Sequence, residues 1–299
     1  MILFEGSGVA LVTPIKNNQV NYEILGKLID WHIENRTDAI ISCGTTGEAA
    51  TLTKEEKKKV ISFTVDKVDG RIPVIAGTGS NNTADAIEMS KSAEAAGVDG
   101  LLIVTPYYNK TSQKGLLQHF MAIADQVNIP IILYNVPGRT GVNLLPMTVA
   151  ELEIHPRIQG IKEASGDISQ VAEIARLCSD NFRIYSGNDD QIVPILSLGG
   201  KGAISVVANI LPKETHDLIF SFLGGRIDEA RKKQLGINGL VNSLFIETNP
   251  IPIKTAMNLL GMEAGELRLP LTDMEPKNKE ILVQSLLKMG FEIGGASNY

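Results

Sequence analysis

One apolar run of this chain, Ile158 to Lys162 (IQGIK), ends in a lysine. A charge at the end of a buried strand is rare unless it is paired or does chemistry. An amine attacks a carbonyl carbon only when uncharged. A free lysine, with a pKa of about 10.4, is almost wholly protonated at neutral pH, and desolvation shifts the balance toward the neutral amine. A lysine so placed can attack a ketone to form an imine, which acidifies the adjoining carbon. The bland alternative is a side chain that snorkels out of the sheet into water.

Imine chemistry needs a proton carrier and an anchor for a substrate carboxylate, and both residue types occur nearby. Tyr134 ends the run Pro130 to Tyr134, which directly precedes the lysine-bearing run, and its phenol can give and take protons. Thr45 and Thr46 lie between Gly44 and Gly47, in a loop whose N–H groups can bind a carboxylate and where the Thr45 hydroxyl can relay a proton. Taken alone, a Gly-Thr loop often only turns the chain. Arg139, in the turn PGRTG, can grip a second carboxylate through two parallel hydrogen bonds. Two other lysines are rejected as the nucleophile. Lys201 precedes a strand, which puts it at the opposite end of the sheet, and Lys254 falls on a late helix that is not expected to meet these loops.

These residues need a scaffold, and the chain repeats one unit: a short β-branched apolar run, a turn and an amphipathic helix. The predicted strands are Gly8 to Val12, Ala39 to Ser42, Pro73 to Ala76, Gly100 to Thr105, Pro130 to Tyr134, Ile158 to Lys162, Phe182 to Tyr185 and Gly202 to Val207. Helical spacing appears at Tyr22 to Arg36, Lys54 to Val68, Thr83 to Ala96, Ser112 to Val127, Ser169 to Cys178 and Asp189 to Leu198. Strands that are apolar throughout imply a parallel sheet covered on both faces. Eight such units predict a (β/α)₈ TIM barrel over residues 1–225, with an open doubly wound sheet as the competing arrangement. From Arg226 the pattern is helical only (Arg226 to Phe245, Ile253 to Leu260, Lys277 to Lys288), so residues 226–299 read as a C-terminal helical extension. Barrel enzymes carry their sites on the loops after the strands, where these unusual residues fall.

Composition narrows the field. With 43% hydrophobic residues, a net charge of −6 and no Lys/Arg-rich block, the 299-residue chain can bury a large core and lacks the electrostatic footprint of a nucleic-acid binder. Its first residues lack the basic and long apolar segments of a secretory signal, and no stretch is long enough to span a membrane. Cys43 and Cys178 make no disulfide framework, which suits a cytoplasmic location. Gly77 begins GTGS, without the third glycine of a dinucleotide fingerprint, and no phosphate loop occurs. His32, His119, His155 and His216 lack metal-ligand spacing, so the expectation is a lysine enzyme with no metal and no cofactor.

The segments GTTGEAATLT, RIPVIAGTGS, VTPYYNK, ILYNVPGRTG, GIKEASGD, YSGND, GAISVVAN and NPIPIKTAMNLLG together resemble the dihydrodipicolinate synthase family, within the N-acetylneuraminate lyase superfamily. The resemblance covers nearly the whole chain. It implies that Lys162 forms an imine with pyruvate, that Tyr134 carries protons, and that Thr45 links Tyr134 to Tyr108 in a relay. It further implies that Tyr108 is lent across a dimer interface of a homotetramer, a dimer of dimers. Thr45 and Thr46 would hold the pyruvate carboxylate, Arg139 that of L-aspartate 4-semialdehyde, and Gly187 and Ile204 would contribute backbone groups to the pocket. The lysine and the GxxGE motif are shared across the superfamily, so Arg139 and the tyrosine pair carry the choice of second substrate.

The same resemblance places an L-lysine feedback site near Ala50, Asn81, Asp85 and Tyr107. Lys54 and Lys57 stand where lysine-sensitive members have histidines, and Asp85 stands where they have a glutamate. Two extra cations would repel the ligand's ammonium groups, so feedback is expected to be weak or absent. The activity implied is condensation of pyruvate with L-aspartate 4-semialdehyde on the way to diaminopimelate and lysine. Two rivals remain at this point: a pyruvate-dependent aldolase acting on a sugar acid, and a noncatalytic barrel that senses a small acid.

Overall fold

A computed structural model describes residues 4–294; residues 1–3 and 295–299, at the ends of the predicted barrel and extension, lie outside the described residues. Eight parallel strands close into a barrel: β1 Gly6–Ala10, β2 Ala39–Ser42, β3 Val74–Gly77, β4 Gly100–Val104, β5 Ile131–Asn135, β6 Ile158–Glu163, β7 Arg183–Ser186 and β8 Gly202–Ser205. Each strand pairs with its sequence neighbours, and β1 closes the ring between β8 and β2. The open sheet is thereby excluded. Every predicted strand is present, with ends shifted by two residues or fewer.

Alternation along the strands explains why the runs are apolar throughout. One set of side chains fills the barrel, including Ile41, Ile75, Leu102, Ile132, Tyr185 and Ile204. The other set, such as Ile40, Ile103, Leu133 and Ile161, packs against the surrounding helices. At the N-terminal end Phe4 stacks on Tyr185 at 4.5 Å between ring centroids, and the Tyr185 hydroxyl donates to the Phe4 carbonyl at 2.8 Å, which closes the floor.

The barrel helices are α1 Tyr22–Glu34, α2 Lys54–Val68, α3 Thr83–Ala95, α4 Gln113–Ala124, α5 Pro146–Glu153, α6 Ile168–Leu177, α7 Ile192–Ser197 and α8 Pro212–Leu223. The start of α2 is a capping box, with the Thr53 hydroxyl and the Glu56 carboxylate each taking the other's backbone N–H. Helices α5 and α8 were absent from the expected pattern. Both open on proline with no side-chain cap, so the polar signal that precedes α2 is missing. A short ribbon, Ile15–Lys16 with Gln19–Val20, was missed too; it turns through Asn17 and Asn18, both at positive φ. Beyond the barrel come α9 Ile227–Leu244, α10 Ile251–Leu259 and α11 Pro276–Lys288.

Candidate active site

The period of two along β6 decides which of its side chains can react. Lys162 pairs with Tyr134 of β5 and with Tyr185 of β7, so it points inward with them, while its neighbour Glu163 pairs with Asn135 and Ser186 and points outward. Lys162 is buried, 5% exposed, and its Nζ lies 4.4 Å from the centroid of the Tyr134 ring. It therefore does not snorkel into water. Among the described residues no carboxylate forms a salt bridge with it.

On the outer face a satisfied polar network fixes this strand pair. Glu163 accepts from Asn135 Nδ2 at 3.0 Å, from Gln170 Nε2 at 3.1 Å and from the Ser165 N–H at 2.6 Å. Asn135 also donates to Asn143, and Gln170 and Asn143 exchange hydrogen bonds. A buried carboxylate with this many donors is held rather than reactive. Through it the ends of β5 and β6, which carry Tyr134 and Lys162, are tied together.

Gly187 follows β7 because nothing larger fits. A Cβ there would lie 2.6 Å from Ala164 Cβ and 3.0 Å from both Glu163 O and Lys162 Cε, and the Gly187 N–H donates to Glu163 O at 2.7 Å. Ile204, on β8, is fully buried inside the barrel. Asp189, also buried, accepts at Oδ2 from the N–H groups of Val206 and Val207 at 3.0 and 2.8 Å. Burial raises its pKa, against the hydrogen bonds and the charge of Lys162.

The Thr45 loop opens with Cys43 at φ +54 and turns again at Glu48, also at φ +54, a conformation uncommon for residues with a Cβ and concentrated at functional sites. Thr46 is buried, and its hydroxyl accepts from Asn249 Nδ2 at 3.0 Å; Thr45 is half-buried. Arg139 sits in a one-turn helix, Pro137–Thr140, opened by Pro137 and closed by Gly141 in the left-handed region. It is exposed and donates to the Asn249 carbonyl at 3.0 Å.

Thr45, Tyr134 and Arg139 line one cavity of about 300 Å³. Lys162 is not on its lining; its Nζ sits over the ring of Tyr134, which is. The same cavity reaches Ala50, Asp85 and Tyr107, so three residues of the expected feedback site share a space with Thr45, Tyr134 and Arg139. Asn81 does not line it, but its carbonyl accepts from Asn109 Nδ2 at 3.0 Å, next to the tyrosine pair. Tyr108 does not join the cavity: it is 91% exposed at φ +70. Lys54 is bound by Asp85 at 2.6 Å and Glu88 at 3.0 Å, so the expected free cation there is an ion pair. Lys57 lines the cavity, and burial lowers its pKa.

One expectation fails outright. Lys254, expected to stay away from these loops, is 1% exposed and reaches into them, donating to Glu48 Oε1 at 2.7 Å and to the Thr13 carbonyl at 3.2 Å. Helix α10 docks on the barrel mouth, a contact that sequence separation conceals. Asn249, Glu48 and Lys254 are thus site-associated residues that the sequence reading missed. The lysine in IPIK carried the same signal as the one in GIK, a charge in an apolar run. The four histidines lie apart, with His32 on Thr37, His119 on Thr83, His155 on Asp125 and His216 on Asp38.

Comparisons with known proteins identify the family. The model of the dihydrodipicolinate synthetase family matches residues 3–289. A relative from Thermoanaerobacter sp. (strain X514), named 4-hydroxy-tetrahydrodipicolinate synthase, is 61% identical over 97% of this chain and 98% of its own. The crystal structure of dihydrodipicolinate synthase from Aquifex aeolicus superposes with a TM-score of 0.96 at 46% identity, covering 98% of this chain and all of that one, 100%. A structure described as the first monomeric dihydrodipicolinate synthase variant superposes with a TM-score of 0.95 at 42% identity, over 97% of this chain and 98% of that one. On the family match and on these full-length likenesses, this chain belongs to the dihydrodipicolinate synthetase family.

Proposed function

We propose that this chain condenses pyruvate with L-aspartate 4-semialdehyde through an imine on Lys162. The observation that carries the reading is a buried lysine that forms no salt bridge among the described residues, its amine against the ring of Tyr134, at the mouth of a barrel. Lys162 attacks the ketone carbon of pyruvate, and the oxygen leaves as water with protons delivered by Tyr134. Thr45 and Tyr108 extend that relay, and Thr45 and Thr46 hold the carboxylate. Loss of a methyl proton gives an enamine, whose carbon attacks the aldehyde while Arg139 holds that substrate's carboxylate. The amino group of the second substrate then displaces Lys162 from the imine, closing the ring and freeing the enzyme. Gly187 and Ile204 present backbone groups beside the bound pyruvate. The imine is the only group added to the protein, with no cofactor and no metal.

Tyr108 supports an oligomer. Tyr108 is 91% exposed at positive φ and outside its own protomer's cavity, and a partner subunit would bury it and complete the relay. We read the assembly as a homotetramer, a dimer of dimers; that one relative is described as a monomeric variant implies an oligomeric norm. A cytoplasmic location fits the two free cysteines, and no helix among the described residues is long and apolar enough to cross a membrane. A division of the chain near residue 225 fits the Gly224-Gly225 break between α8 and α9.

The test compares aldehydes. Turnover with L-aspartate 4-semialdehyde should far exceed that with N-acetylmannosamine or glyceraldehyde, and Arg139→Ala should lose most of the preference. Equal or better turnover of a sugar aldehyde would assign the chain to sugar-acid cleavage instead.

A further inference from the structure

Two lysines are buried at the same mouth of the barrel, and the reaction uses one of them as nucleophile. The other, Lys254, is engaged by Glu48, with 1% and 0% of their side chains exposed. Its Nζ also donates to the Thr13 and Glu266 carbonyls, and Glu48 Oε2 accepts from the Arg268 N–H at 3.0 Å. A pair this enclosed is a poor device for stability, because removing two charges from water costs about as much as their attraction returns. It does fix a position.

What it fixes is the loop that carries the two threonines. Glu48 sits in the left-handed region, its N–H donates to the Thr45 carbonyl at 3.1 Å, and its own carbonyl accepts from the Thr51 N–H at 2.9 Å. A shift of Glu48 therefore reaches Thr45 through one hydrogen bond. The same C-terminal segment touches the loop twice more, through Asn249 on the Thr46 hydroxyl at 3.0 Å and through Arg268 Nη1 on the Thr51 carbonyl at 3.1 Å. From the barrel side, the Thr13 hydroxyl donates to the Gly47 carbonyl at 2.8 Å, so Thr13 holds both the loop and Lys254.

We propose that Lys254 is a positioning residue for the condensation: through Glu48 it holds the 44–51 loop in the turn that aims Thr45 and Thr46 at the pyruvate carboxylate, making the C-terminal helices part of the active site. This rests on the assignment of that loop to pyruvate given above.

The variant to measure is Glu48→Gln with Lys254→Met, which removes both charges together and orphans neither. A loop displaced by about 1 Å should raise the pyruvate KM about 10- to 100-fold. The KM for the aldehyde should change by less than about threefold, because the loop grips pyruvate and not the aldehyde, while kcat falls as well, since Thr45 on the same loop extends the proton relay. A purely structural pair would lower thermal stability and leave this split absent. Glu48→Gln alone keeps the shape and one oxygen toward Lys254 but removes the charge and sets an NH2 against the Arg268 N–H that Oε2 accepts, so it should move the pyruvate KM the same way and speed amide exchange at Glu48 and Thr51. If the double variant does not fold, this single variant decides: unchanged pyruvate KM and unchanged exchange overturn the proposal. Borohydride trapping of pyruvate on the wild-type enzyme comes first. No adduct there removes the pyruvate assignment and this inference with it, whereas a normal adduct followed by an unaltered KM in the variants removes this inference alone.

Discussion

Gly187→Ala adds one methyl group at the tightest point beside the nucleophile. The new carbon would lie 2.6 Å from Ala164 Cβ and 3.0 Å from Lys162 Cε. Against an ordinary carbon contact of about 3.5 Å, these are short by about 0.9 and 0.5 Å. The Ala164 carbon is attached directly to backbone and the Glu163 carbonyl blocks a second direction, so the lysine stem is the neighbour freest to yield. A displacement of that size should cut the rates of imine formation and turnover by roughly 10- to 100-fold. Overpacking should cost about 1–3 kcal/mol of stability. Gly236→Ala serves as the control: Gly236 lies in α9 with nothing within 4 Å of a built Cβ, so it should gain about 0.5–1 kcal/mol and keep full activity. Single-turnover borohydride trapping of pyruvate reports imine formation, and thermal unfolding reports the fold. A folded Gly187→Ala enzyme with normal trapping and turnover would refute the close packing on which the site assignment depends.

Three further outcomes follow from the geometry. Hydrogen bonds from Arg268 hold the Glu56 carboxyl down to about 2 from its ordinary 4.5, so the pair stabilises the fold fully above about pH 4.5 and loses its contribution as pH falls toward 2. Because Glu56 is partly exposed the effect is small, and it should appear as a flatter acid unfolding profile between pH 4.5 and 2 for Glu56→Gln; superimposable profiles would contradict it. L-Lysine should inhibit weakly or not at all, since Asp85 is already engaged by Lys54, and strong inhibition at submillimolar lysine in a steady-state assay would count against this reading. Tyr108→Phe should lose most of its activity while light scattering shows the assembly unchanged, whereas a fully active monomer would dismiss the shared relay.

The barrel was legible because its strands are buried on both faces. Ala39–Ser42 and Lys54–Val68 were located to the residue, the first as an unbroken apolar run and the second by its helical period. Lys162 was legible because a charge ended an apolar run, and Tyr134 because it ended the adjacent strand. What stayed hidden depends on contacts between segments far apart in the chain. Lys254 showed the same anomaly as Lys162 but was set aside on its helix, since nothing local reveals that α10 packs onto the barrel mouth more than 200 residues after Glu48, with |i−j| of 206. Asn249 was invisible for the same reason. Tyr108 illustrates the converse: it is 91% exposed and outside the cavity, so the role proposed for it needs a partner subunit that no single chain contains. Arg139 gained its backbone anchor on Asn249 only in three dimensions.

The claim at the centre of this account is that, of two lysines buried at one barrel mouth, Lys162 is the nucleophile. Incubation with pyruvate, reduction with borohydride and peptide mapping by mass spectrometry address it directly. The account predicts one reduced pyruvate per chain, on Lys162, and none in Lys162→Ala. An adduct on Lys254, or no adduct in active enzyme, would contradict it.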